Sequence, residues 1–158
     1  MEQSGIKLEP MAIGGWFTLE HRRDGELIEA RTVKNLITSA GKAAAAGLLN
    51  GVITDFFDYL AIGTGTTAAA VGDTALQTEI STNGGARAAA TLSRVTTTVT
   101  NDTAQFVYTW TFSGSFAVTE CGVFSASSGG TLLARQVFSA LNVVSGDTLA
   151  ITYKVAVS

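Results

Sequence analysis

The sequence is poor in the residues from which most active sites are built. It holds one histidine, His21, and one cysteine, Cys121, among 158 residues. A single cysteine excludes an internal disulfide framework. A single histidine excludes a multi-histidine metal site within one chain. Proline occurs once, so the turns fall to glycine, asparagine and aspartate. Charged residues are only 15% of the chain, against about 25% in an average protein. With 46% hydrophobic residues, the composition is not that of a disordered chain. The net charge of −3 leaves no basic footprint, so no nucleic-acid partner is expected. No apolar run reaches the roughly 18 residues of a bilayer-spanning helix, so no membrane partner is expected either. The opening MEQSGIKLEP lacks the basic and apolar regions of a secretory signal.

What is present suits one domain. A chain of this length buries roughly 68–70% of its unfolded surface and folds without metal or disulfides. Twelve of its 23 charges fall in residues 1–42, as six acids and six bases. This reads as a charged ribbon attached to a Thr/Ser/Ala-rich body. Residues 1–14 carry little pattern and are expected to form an N-terminal arm, with a single domain over 15–158.

Local signals then set the elements. Residues 15–34 form a hairpin candidate around Asp24-Gly25. Phe17, Leu19 and His21 share one of its faces. Residues 38–50, TSAGKAAAAGLLN, are the one convincing helix: Thr38 or Ser39 can cap it, Ala43 to Ala46 favour it and Gly51 stops it. Beyond it the period becomes two. Phe57 to Ile62 reads as a buried strand and residues 63–74 as a Gly/Thr/Ala loop. Residues 87–100 and 103–113 flank an expected tight turn at Asn101-Asp102, with a bulge expected near Leu92. Phe106, Tyr108, Trp110 and Phe112 project to one face, most simply a core face. Residues 115–126 and 131–139 flank Gly129-Gly130. In the last strand Leu149, Ile151, Tyr153, Val155 and Val157 alternate with more polar neighbours. The pattern predicts an all-β fold: an antiparallel β-sandwich, jelly-roll-like, with one short Ala-rich helix.

Candidate chemistry is sparse. Nucleophilic catalysis would have to use His21, which sits beside Arg22 and Arg23 without a nearby nucleophile and reads as an exposed strand histidine. Cys121 reads as a small buried thiol. Glu120 alternates onto the opposite face from it. Gly63-Thr64-Gly65 is followed by Thr66, Thr67 and three alanines, not by the helix start a phosphate loop needs. Asp55 and Asp58 lack the surrounding ligands of a calcium loop and read as a solvated turn. Trp16, Phe17 and Tyr59 are the aromatics outside the stripe that a carbohydrate-binding face would use. No catalytic, cofactor-binding or metal-binding residue is expected.

An ordered set of motifs carries a resemblance. NLITSAGKAAAAGLLNG (35–51) leads into YLAIGTGTTAAAVGDTALQTEI (59–80), and Arg87 follows. After the hairpin 95–112 come AVTECGVF (117–124), GGTLLARQVFS (129–139) and GDTLAITYKVAV (146–157). Over residues 15–157 the chain resembles small virion structural proteins of tailed bacteriophages. The resemblance implies a non-enzymatic virion part, made in the bacterial host cytoplasm. Its length points to a capsid decoration (cement) protein on the capsid exterior, partnered by the major capsid protein and by itself as a homo-trimer or dimer. Alternatives are a tail-, baseplate- or fibre-associated protein, or a carbohydrate-binding jelly-roll module.

Overall fold

The computed structural model describes residue 5 and residues 9–158. The chain runs through β1 (Ile13–Arg23), β2 (Glu26–Lys34), β3 (Leu36–Ile37), helix α1 (Ser39–Asn50), β4 (Tyr59–Gly63) and β5 (Ala88–Ala89). It continues through β6 (Thr91–Val95), β7 (Thr103–Thr111), β8 (Phe116–Phe124), β9 (Leu132–Val143) and β10 (Thr148–Val157). Two five-stranded antiparallel sheets result, ordered β2-β1-β10-β7-β6 and β3-β9-β8-β4-β5. The all-β sandwich read from the pattern is the observed architecture. Its jelly-roll-like feature is the pairing of early strands with late ones in both sheets, β1 with β10 and β3 with β9. Most of the expected arm, residues 1–4 and 6–8, lies outside the described residues. Ile13 and Gly14, assigned to the arm, instead pair with Val157 and Ala156 inside the first sheet.

Local chemistry explains the boundaries. Asp24 and Gly25 both have positive φ, the requirement of a two-residue hairpin turn. The Thr38 hydroxyl accepts from the Gly41 amide at 2.9 Å and caps α1. Gly51 ends the helix in the left-handed conformation. The expected strand 87–100 is corrected. It breaks at Ala90, where the chain leaves the second sheet at β5 and enters the first at β6. The Ala90 amide donates instead to the Asp58 carbonyl at 2.7 Å. Nor is Asn101-Asp102 a tight turn. Residues 96–102 form a wide loop because the Asp102 carboxylate accepts from the amides of Thr97, Thr98 and Val99 at 2.7–2.8 Å. Those amides hold its carboxyl well below the usual carboxylate range.

The core lies between the sheets. Phe17, Leu19, Phe106, Trp110, Leu149, Ile151 and Tyr153 of the first sheet meet Leu60, Ile62, Cys121, Val123 and Leu141 of the second. The aromatic stripe of β7 is core, as its spacing suggested, although Tyr108 is only half-buried and rests edge-on against Trp110. The second sheet is covered on its other face too. Leu76, from the loop after β4, packs with Ala61, Phe124 and Leu132 in a smaller cluster. This double cover explains why β8 is buried continuously from Val118 to Phe124 rather than at alternate positions.

Candidate functional site

Three arrangements carry most of the chemistry. The first corrects the reading of His21. It is only 3% exposed, and its Nε2 lies 2.7 Å from Asp147 Oδ2. Arg23 donates to the same carboxylate through Nε and a terminal nitrogen, both at 2.9 Å. The Val144 amide also donates to it. The Arg23 hydrogen bonds, with His21 and Val144 adding to them, hold the Asp147 carboxyl well below its usual range. The cluster ties β1 to the turn before β10, and among the described residues no serine, threonine or cysteine side chain hydrogen-bonds to the imidazole.

The second arrangement was missed at the sequence level. Glu120 does alternate away from Cys121, and it is fully buried there. Its carboxylate accepts from Arg135 Nε at 2.9 Å and from the amides of Gly65, Gln77 and Thr78 at 2.7–3.0 Å. Arg135 also reaches Asp73 at 2.8 Å and the Thr67 carbonyl at 3.0 Å. Burial opposes the Arg135 charge, yet the hydrogen bonds it donates to Glu120 and Asp73 outweigh that and raise its pKa. The Gly63-Thr64-Gly65 loop therefore does meet an anion, but the anion is the protein's own. A Cβ at Gly65 would lie 2.5 Å from Glu120 Oε1, which is why glycine stands there. Nearby, Arg87 stacks 3.6 Å over the Phe124 ring and is paired with Glu79 at 2.8 Å. One sequence signal pointed to the pair: opposite charges embedded in the apolar runs AVTECGVF and TLLARQVF.

Other sequence candidates do not come together. Phe17 is buried in the core, 4.5 Å from the Tyr153 ring. Trp16 faces the opposite side of β1 from Phe17, and Tyr59 packs on the Leu76 cluster outside the second sheet. The three aromatics share no platform. Cys121 is a buried thiol whose pKa is pushed up chiefly by burial. Asp58 is half-buried rather than solvated, with Oδ1 lacking a hydrogen-bond partner; burial raises its pKa. Among the described residues no three His, Cys, Asp or Glu side chains gather as metal ligands, and no helix is long and apolar enough to cross a membrane.

The third arrangement is an apolar groove of about 630 Å³ at one end of the sandwich. One wall is the inner face of the first sheet, with Ile13, Val155, Val157, Phe106 and Leu92. The other is α1, with Ala45, Leu48 and Leu49, followed by Phe56 and Phe57. The groove is open. Leu49 is 73% exposed, Phe56 58% and Met11 54%, a grouping of large apolar side chains that a solvated surface does not favour. A smaller hollow continues it past Met11 to Lys42 and Ala46. The charged residues lining the two are Lys42 and Arg94, both cationic.

These features describe a β-scaffold with an apolar edge that the other described residues leave open, suited to packing against another protein. No curated protein matches the chain. A family described as podophage GP4 fiber I protein gp80 matches residues 57–156, the stretch from just before β4 to the penultimate residue of β10 that contains the Glu120–Arg135 pair. The chain belongs to that family and is a structural protein of a bacteriophage virion.

Proposed function

We propose that the chain is a structural subunit of the tail-fibre apparatus of a podophage, acting by assembly rather than by catalysis. The observation that carries this reading is the family match, whose description is of a fibre protein and which extends over seven of the strands. The buried polar groups support it. Glu120, Arg135, Asp147 and His21 are engaged with one another or with backbone, so they stiffen the scaffold. The open groove supports it further, because a subunit held in an assembly needs an apolar face to bury. The fibre reading takes precedence here over capsid decoration because the family description offers nothing for contact with a capsid shell. Its partners are neighbouring virion proteins and copies of itself.

Gold-labelled antibody against the chain, applied to intact virions and read by electron microscopy, tests the location. Label on the tail or its fibres is expected. Label distributed over the capsid shell would replace the fibre reading with a cement role bridging major capsid subunits.

A further inference from the structure

The molecule carries a second exposed apolar feature away from the groove. The first sheet has two free edges, β2 and β6. Leu92 and Arg94 of β6 border the groove, near the end of the sheet where Ile13 pairs with Val157. At the diagonally opposite corner, beyond the β1–β2 turn, Glu26-Leu27-Ile28-Glu29 runs along the other edge. Leu27 is 47% exposed and Ile28 53%, two large apolar side chains standing between two carboxylates. The register of β2 against β1 shifts at this point, which lifts the segment out of the regular ladder.

The charges around the two features are opposite in sign. Lys42 and Arg94, the cations of the groove, have no ion-pair partner among the described residues. Neither has Glu26, whereas Glu29 is held by Arg31. We propose that the groove of one copy receives the Leu27–Ile28 ridge of a second copy, with Glu26 set against the groove's cations. A two-fold contact of groove on groove would oppose Arg94 to Arg94, and one of ridge on ridge would oppose carboxylate to carboxylate. Because groove and ridge lie at opposite corners, the contact is head-to-tail. Each copy then keeps one unused groove and one unused ridge, and addition continues until a ring closes or a file of subunits extends. The contact is independent of where in the virion the chain sits.

Two variants isolate the contact. Leu92→Asp spoils the groove and Ile28→Asp spoils the ridge, each at an exposed position; thermal melts check that both remain folded. Light scattering after size exclusion at tens of micromolar reads the mass. The wild type is expected as an assembly that weakens in high salt. Each variant alone is expected to be monomeric. Their equimolar mixture is expected to form a dimer and stop, since one intact groove meets one intact ridge. A second arm uses charge: Arg94→Glu is expected to dissociate the assembly and Arg94→Glu with Glu26→Arg to restore it. A monomeric wild type, a variant that assembles like wild type, or a mixture that stays monomeric would each overturn the proposal.

Discussion

Arg135 Nε lies 2.9 Å from Glu120 Oε2 on the loop-covered face of the second sheet, and neither side chain reaches solvent. Two buried charges this close form a unit. Each is compensated by the other, and the carboxylate's remaining capacity is taken up by three backbone amides of the loop that covers it.

Removing the cation alone strands that carboxylate. Arg135→Met is expected to cost about 3–5 kcal/mol, as for other broken buried pairs. That corresponds to a fall in melting temperature of roughly 6–20 °C for a chain of this size. Glu120→Gln added to Arg135→Met removes both charges and keeps an acceptor for the loop amides. The double variant is expected to melt above the Arg135→Met single variant. Simple additivity of the two losses would show that the pair is not coupled.

Asp147 makes a prediction in pH. Its folded-state pKa lies well below the unfolded value of about 3.9, chiefly through the Arg23 hydrogen bonds. A carboxyl depressed in this way contributes stability that is complete above the unfolded value. That contribution drains away as pH falls from about 4 toward the folded value. Asp147→Asn is therefore expected to lower the melting temperature clearly at neutral pH. The gap to wild type should narrow as the melts are taken below about pH 4. A gap that stays constant from pH 7 to pH 3 would exclude this carboxylate as a source of acid sensitivity.

Trp110 is 1% exposed, and its indole N–H donates to the Ala86 carbonyl at 2.8 Å. Trp110→Ala removes the largest fully buried side chain and leaves that carbonyl without its indole donor. The expected cost is about 3–5 kcal/mol, again roughly 6–20 °C in the melt. A shift of under about 2 °C would contradict its place in the core.

Gly41 sets two effects of opposite sign against each other. Alanine inside a helix normally gains about 1 kcal/mol over glycine. Here a Cβ would stand 2.5 Å from the Leu133 carbonyl oxygen and 2.8 Å from its Cα, both backbone atoms that cannot swing aside. Gly41→Ala is expected to be destabilising by about 1–3 kcal/mol through overpacking of α1 on β9. A melt at or above that of wild type would show that the helix can lift off the sheet.

Much of the fold was determined by the sequence alone, because its signals are local. Asp24-Gly25 demands a turn whatever surrounds it, the alanine run with Thr38 before it and Gly51 after it demands a helix, and the alternation in β10 and the stripe in β7 tell which side chains share a face. Alternation does not tell what covers a face, and there the tertiary structure decided. His21 shares its face with Phe17 and Leu19, but only the return of the chain at Asp147 buries it and supplies its partner. Glu120 turns away from the core, yet the loop from residue 64 to residue 78 folds over it and closes a second interior around Arg135. The break at Ala90 follows from strand order, which long-range packing selects and no nearby residue encodes. The groove is the converse case. Met11, Leu49 and Leu92 lie far apart in the chain, and they became one apolar surface only because the first sheet and α1 meet around a space that the described residues leave open.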